Sequence, residues 1–459
     1  MNTTDATTWY EATRVPALER GRLNFDLDVD VCVIGGGLAG LTVAREIARR
    51  GWSVAVLEAN WIGWGASGRN TGFVLPGFSE DFSGIVERVG LDRAKELWDL
   101  SERGVSYVRR VIDESGMPGV DPVPGWLSVA KTDAAVRLRG EMERLRWIGA
   151  DVEFWPKEKV REQLPNTRYF DALHFPTAVH IHPLNYALGL AAAAEASGAR
   201  IFDETPVTQI DPSGVRKRIV TPGGRLRADH VVLAGNVYLG TLVPRLAATL
   251  LPVTTYVLVT TPIDNLHEVI RYRGAVSDGP RADNHYRIVG GNRLLWSGRM
   301  RTWEVDSRRF ARSFLRDIRR NFPQLGDFQV EHVWRGTLGR TVHHMPQLGE
   351  IERGLWLASG FGGHGLNTTA MAGELIARAI MDGDETWRLF APYELVWAGG
   401  RLGRAFVQGA YWMREGAAGA AQALARRRER RTMHRSARAS ERVMPKNHHR
   451  PDDGNQAVP

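Results

Sequence analysis

The chain has one cysteine in 459 residues, Cys32. An internal disulfide is therefore excluded, and so is any metal site built from several thiolates. Cys32 sits inside an apolar run, the setting of a buried structural thiol. No stretch reaches the roughly 18 uncharged apolar residues that a membrane-spanning helix needs; the run from Leu188 to Ala196 is short and contains Glu195. The first 30 residues are polar and carry several acids, unlike a secretory leader. These absences lead us to expect a cytoplasmic protein. The 13 histidines show no His-Glu-x-x-His pattern, and the adjacent pairs His343-His344 and His448-His449 are poorly arranged to share a metal.

The formal charge of +8 suggests a polyanion partner until it is located. Residues 426 to 450 hold ten Lys/Arg against two Glu, and Asp452 and Asp453 follow, so +6 of the excess belongs to the tail. That tail has almost no aromatic or β-branched content, which predicts a disordered, solvated segment over 426–459. It lacks the interleaved aromatics of a single-strand nucleic-acid platform. We expect no nucleic-acid partner, and at most a weak membrane-surface contact through the tail.

What is present in abundance is glycine, 49 residues, gathered at three places. The first is Gly35-x-Gly37-x-x-Gly40. The apolar, β-branched run Val29 to Ile34 before it reads as a buried parallel strand, and Leu41 to Arg50 after it has helical apolar spacing. Gly51 closes that helix, and Ser53 to Leu57 is a second strand with Glu58 at its end. Gly35 makes the tight turn, Gly37 admits a pyrophosphate to the backbone, and Gly40 lets helix and strand pack closely. The phosphates rest on the helix N-terminus. Glu58, 21 residues after Gly37, stands where an acid bonds ribose hydroxyls and disfavours a 2′-phosphate. The motif marks a dinucleotide site and leaves NAD and FAD both open.

The second cluster, Gly63-Trp64-Gly65-Ala66-Ser67-Gly68-Arg69-Asn70-Thr71-Gly72, suits a loop whose backbone passes against a flat ligand. Helices are expected over 91–114, 138–148 and 183–196, and strands at 125–130, 200–202, 207–210 and 231–236. Residues 215–227 read as a hairpin turning at Pro222-Gly223-Gly224. Strand-like runs at 253–260, 285–289 and 293–299, then an Arg-rich helix at 308–322, break the βα alternation and predict an antiparallel sheet with covering helices.

The third cluster is Gly360-Phe361-Gly362-Gly363-His364-Gly365, after the strand 354–359. Thr368 or Thr369 is placed to cap a helix running to about Met381, closed by Gly383. A second helix N-terminus some 300 residues from the first would stabilise negative charge on a reduced flavin, near N1 and the C2 carbonyl. NAD needs no such second site.

Together, VCVIGGGLAGLTVA (31–44), VLEA (56–59), GWGASGRNTG (63–72) and GLWLASGFGGHGL (354–366) resemble the FAD-dependent amine and amino-acid oxidoreductases of the D-amino-acid oxidase/sarcosine oxidase superfamily. The likeness is greatest to the γ-glutamylputrescine oxidoreductase group. It runs to about residue 415 and is weakest in the middle. The resemblance implies a Rossmann-like α/β FAD-binding domain of discontinuous segments (29–90, 155–240 and 335–395). An α+β substrate domain with an antiparallel sheet would occupy 91–154 and 241–334. A 1–28 arm, a 396–425 C-terminal helix and the tail complete the chain.

The resemblance also implies roles. Gly35, Gly37, Leu38, Ala39 and Gly40 would hold the pyrophosphate, and Glu58 and Ala59 the adenosine ribose. Gly65, Ala66, Ser67, Arg69, Asn70 and Gly72 would line pyrophosphate and isoalloxazine. Val207 would meet adenine through its backbone, Ala234 would lie beside the pyrophosphate, and Gly362, Gly363, His364, Gly365 and Leu366 would face the pyrimidine edge. The cofactor's chemistry is hydride transfer to flavin N5 from the carbon beside an amine, after which the imine hydrolyses to a carbonyl. No side-chain base is required, and His364 is the nearest histidine candidate. Covalent attachment through cysteine is excluded by the place of Cys32, so FAD is expected to be non-covalent. The lysine that sarcosine-oxidase-like members hold over the flavin is missing, since residues 240–340 contain none. The electron acceptor is therefore open between O2 and a quinone. Arg299, Tyr256 and Tyr286 are the substrate-contact candidates, on middle-domain strands. Two other readings are a D-amino-acid dehydrogenase feeding a quinone and a flavoprotein subunit without turnover.

Overall fold

The computed structural model describes residues 7–279, 284–413 and 416–417. The basic tail expected to be disordered lies outside these. The strand Leu27–Ile34 is apolar on both faces from Val31 onward, as a central parallel strand must be. It pairs in parallel with Val54–Leu57 on one side and Arg225–Leu233 on the other. The first sheet runs in the order 347–352, 355–359, 225–233, 27–34, 54–57, 200–202, and only Gln347–Glu352 is antiparallel along this path. The helices Leu38–Ala48, Leu91–Ser115, Pro183–Ala196 and Gly365–Asp382 cover one face, where Val31, Val33, Val54 and Val56 share a core with Leu41, Leu190 and Ile376. Cys32 points to the other face and is fully buried, with burial pushing its thiol pKa up.

The second sheet is mostly antiparallel, in the order 330–340, 251–260, 293–301, 285–289, 275–277, 123–129, 172–180, 73–74, with Glu153–Trp155 added to Ala172–His180. Its outer face packs Tyr286, Trp296 and Tyr256 against Phe314, Ile318 and Phe322 in and just after the helix Arg308–Asn321. Its inner face joins the core of the first sheet through Val257, Leu295 and Trp334. The Rossmann-like α/β unit and the antiparallel-sheet unit are both present.

The N-terminal arm is laid over this body. Thr8 caps the short helix Trp9–Ala12 in a reciprocal box with Glu11, and Trp9 and Tyr10 are buried. Further on, the arm crosses the 217–233 hairpin. A Cβ on Gly223 or Gly224 would lie 2.2 or 2.3 Å from the carbonyls of Leu23 and Phe25, so that turn needs two glycines to let the arm pass.

Several expectations change. The helix after the third glycine cluster begins at Gly365, and Thr368 and Thr369 do not cap it; their hydroxyls donate back to the carbonyls of His364 and Gly365 within its first turn. The strands Phe73–Val74 and Ala172–His180 belong to the second sheet, although 29–90 and 155–240 were expected in the first unit, and the helix Leu91–Ser115, expected in the substrate unit, packs over the first sheet. The second sheet also extends past residue 334, since Val330–Arg340 is one eleven-residue strand.

The helices 365–382 and 38–48 cross closely. A Cβ on Gly373 would lie 2.5 Å from Thr42 Cβ and 3.1 Å from the Ala39 carbonyl. Overpacking of this kind costs about 1–3 kcal/mol or more, so Gly373→Val is expected to lower the thermal unfolding midpoint. Gly140, in the exposed helix Ala135–Trp147, has nothing within 4 Å of where a methyl group would sit. Gly140→Ala is expected to raise stability by about 0.5–1 kcal/mol. Equal effects from the two substitutions would contradict the packing described.

Candidate active site

One cavity lies at the carboxyl ends of the parallel strands, the usual ligand crevice of such sheets. The three glycine-dense stretches meet there. Gly35, Gly37, Leu38 and Ala39 form its wall from the first bend; Gly65, Ala66, Ser67 and Asn70 from the second; Gly362, Gly363, Gly365 and Leu366 from the third. Glu58, Ala59, Val207 and Ala234 also line it.

Four of the expected residues stand just behind the wall. Gly40 is one, because a Cβ there would lie 2.1 Å from the Gly35 carbonyl. Its glycine is needed for the strand–helix approach. Gly72 has φ +81°, and a Cβ would meet the Ile181 carbonyl at 2.2 Å. Arg69 turns away, its Nε donating to the Trp64 carbonyl at 3.1 Å. His364 is the N-cap residue of the 365–382 helix.

The helices 38–48 and 365–382 both start at this cavity, and neither has a side-chain cap at its N-cap residue. Their first-turn N–H groups have no carbonyl partner within the helix. Ser67 Oγ accepts from Leu38 N at 3.0 Å, which ties the second bend to the first. Asn70 braces its own loop, donating to the Ser67 carbonyl at 2.8 Å and accepting from Gly72 N at 2.8 Å. Gly363 N donates to Ser79 Oγ at 2.8 Å, and the Trp334 indole donates to the Arg69 carbonyl at 3.0 Å. Among the described residues Glu58 is the only charged side chain in the cavity wall. An anion here is met by helix termini and backbone amides, not by a lysine or arginine.

Glu58 Oε2 accepts from Gly36 N at 2.7 Å and Oε1 from Asn60 N at 2.9 Å. Burial raises its pKa, and these amides oppose the rise. Asp203 lies near it, with Oδ1 buried and unpartnered. Burial, and the Glu58 and Glu195 charges, push its carboxyl up to about 6 against the pull of Arg20.

The three substrate candidates are elsewhere. Tyr286 is fully buried and stacked on Trp296 at 4.7 Å. The Tyr256 hydroxyl accepts from Val305 N at 3.0 Å, and its ring lies against Phe310. Arg299 is paired with Asp317 and donates to Ser313 on the 308–321 helix. All three point to the outer face of the second sheet, because strand alternation sends neighbours to opposite sides. The second-sheet residues at and behind the cavity wall were not legible from types alone. Phe73 lines the cavity and meets the His285 ring edge-on. Behind it Ser277 Oγ joins His285 Nδ1 at 2.8 Å and accepts from the Trp126 indole at 2.9 Å. Burial lowers the His285 pKa. Thr337, Leu338 and Phe361 complete this end of the cavity.

Arg287 follows Tyr286 and points inward. Its guanidinium is buried and donates to the carbonyls of Thr71 and Ile181 (both 2.8 Å) and to the Tyr10 hydroxyl (3.0 Å), and it meets His180 Nδ1 at 3.0 Å. No carboxylate among the described residues pairs with it. It pins the second bend to the second sheet and to the N-terminal arm.

Asp203 gives a pH test. Its folded pKa is raised, so its unfavourable effect is absent below the ordinary value of 3.8 and develops as pH rises to about 6. Asp203→Asn is expected to match the parent near pH 4, gain on it up to about pH 6, and keep a constant lead above that. Denaturant midpoints across pH measure this; a lead independent of pH would contradict the burial assigned to Asp203.

Residues 30–379 match the DAO family of FAD dependent oxidoreductases. The chain is 33% identical over 397 residues to gamma-glutamylputrescine oxidoreductase of Escherichia coli (strain K12), an alignment covering 85% of this chain and 92% of that protein. Among solved structures it resembles glycine oxidase from Geobacillus kaustophilus (TM-score 0.67, 23% identity, 81% of this chain and 99% of that one). It resembles L-proline dehydrogenase from P. horikoshii as well (TM-score 0.67, 21% identity, 80% and 98%). With three glycine-dense bends around one cavity and a family match across most of its length, the chain belongs to the DAO family of FAD-dependent oxidoreductases.

Proposed function

We propose that this protein oxidises the C–N bond of an amine or amino acid with non-covalent FAD, on a substrate of the γ-glutamylputrescine kind: an amine carrying a distal polar group. One observation carries the cofactor assignment. Two helix N-termini, at Leu38 and Gly365, neither capped by its own N-cap side chain, share a cavity whose wall has no cationic side chain among the described residues. A pyrophosphate needs one such terminus, and an electron-rich flavin ring uses the second.

On this reading the backbone of Gly35 to Gly40 holds the pyrophosphate and Glu58 the adenosine ribose. Val207 lies at the adenine, Ala234 beside the pyrophosphate, and Gly362 to Leu366 at the pyrimidine edge. Cys32 is fully buried within the strand 27–34 and is not among the residues lining the cavity, which supports non-covalent binding. FAD when bound accepts a hydride from the carbon beside the amine nitrogen, and the imine released is hydrolysed. The chain's own part is to hold the amine neutral and dry. Phe73 supplies an apolar wall with His285 behind it, and burial holds the His285 pKa below its ordinary value, which favours a neutral ring there.

The acceptor assigned second is a quinone. It is favoured by the absence of any lysine between residues 240 and 340.

An anaerobic screen over polyamines, N-acylated polyamines and D-amino acids tests the activity. Bleaching of the bound flavin by an acylated polyamine is the expected result; no bleaching by any amine contradicts the proposal. Oxygen uptake against dye reduction then separates the acceptors. Phe73→Ala removes a buried aromatic wall and is expected to raise KM for the amine about tenfold or more while the protein stays yellow. An unchanged KM would remove Phe73 from the substrate site.

A further inference from the structure

The helical residues 400–413 have two apolar faces, and the body of the protein covers only one. The inner face carries Tyr411, which is 3% exposed in a small core with Leu251 and Val253. The Tyr411 hydroxyl accepts from Arg340 at 2.7 Å, and Gln408 Oε1 accepts from Thr302 N at 2.9 Å. These contacts fix which way the helix faces. On the other side Leu402 is 80% exposed, Phe406 79% and Met413 71%. At about 100° per residue these three fall within about 40° of one another, and Trp412 flanks them. Trp397, in the segment leading in, and Trp303, next to Thr302, are exposed as well.

Scattered exposed apolar residues are ordinary, but a stripe of large ones along a helix marks a surface that something covers. The charges around it select the occupant. Arg401 is exposed about 100° round the helix from Leu402, beside Trp412. Thirteen residues beyond Met413, a reach of at most about 45 Å, the sequence enters the 426–450 segment with its ten Lys/Arg and two Glu. A second copy on this stripe would bring two such basic segments together. An anionic bilayer instead takes the apolar side chains into its interface and attracts the basic segment, the two signals that stable peripheral binding needs.

We propose that this face docks the protein on an anionic lipid surface, with Leu402, Phe406, Trp412 and Met413 entering the headgroup region and the basic segment adding charge attraction. This goes beyond the flavin assignment and does not rest on it. It has a spatial consequence, because Leu338 packs in the same small core as Tyr411 and also walls the cavity. The docked helix therefore stands one side-chain layer from the candidate active site.

The test is co-sedimentation of the full-length protein with phosphatidylcholine vesicles, plain or doped with phosphatidylglycerol. Binding to the doped vesicles is expected to be at least about tenfold stronger and to weaken as salt is raised. Leu402→Ser with Phe406→Ser and Met413→Ser is expected to reduce it about tenfold or more at an unchanged thermal midpoint; Leu402→Phe with Phe406→Trp should retain it. Replacing Arg426, Arg427, Arg428, Arg430 and Arg431 by Gln should remove the preference for anionic lipid. No binding to doped vesicles overturns the proposal, as does a triple serine variant that binds like the parent, or an anionic preference that survives the Gln substitutions. A parent that is dimeric without vesicles while the triple variant is monomeric assigns the face to a second copy and overturns it too.

Discussion

Everything at the candidate site depends on how closely the helices 38–48 and 365–382 cross. Gly373 sits against Thr42 and the Ala39 carbonyl with no room for a side chain. The two strands that lead into these helices, 27–34 and 355–359, are separated by the strand 225–233 alone. Close crossing brings both N-termini to one cavity, so the positive ends of two helix dipoles add there. A wider crossing would leave two separate glycine turns, each able to meet a phosphate and neither able to share a larger ligand.

The second constraint is where charge is allowed. Among the described residues the cavity wall contains one charged side chain, Glu58, and no cation, so favourable fields come from fixed backbone dipoles. Such dipoles need no reorganisation when charge develops, which is the physical basis of electrostatic preorganisation. The buried cation Arg287 is held off the wall by four neutral partners and bonds to the carbonyl side of Thr71. Its role is to lock the second bend to the second sheet. Removing it would leave buried acceptors unsatisfied, each worth about 1–3 kcal/mol.

Much of this was legible in the sequence because glycine carries steric information. Gly35, Gly40 and Gly72 each stand where a Cβ would strike a backbone carbonyl, and their spacing alone points to the bends. The parallel strands were readable as continuous apolar runs, and the helix Pro183–Ala196 was bounded by its own proline and by Ser197-Gly198. The substrate side was not legible. Tyr286 and Arg287 are adjacent, and only the register of the strand His285–Val289 decides which of them points inward, toward the first sheet. The types favoured Tyr286 as a ligand; pairing with Trp296 sends it outward. Phe73 was hidden for another reason. Its strand is two residues long, and it pairs with Ala172–His180, about a hundred residues away and lacking strict alternation. The third helix junction was placed correctly, but its threonines looked like caps. The turn His364-Gly365 is tight enough to start the helix earlier, which turns Thr368 and Thr369 back onto the preceding carbonyls.

The central claim is that three distant bends make one flavin site. Equilibrium titration of flavin-free protein with FAD, with NAD as competitor, tests it most directly. The expected result is one FAD bound per chain with loss of flavin fluorescence, unaffected by excess NAD. Failure to take up FAD, or its displacement by NAD at comparable concentration, would contradict the account.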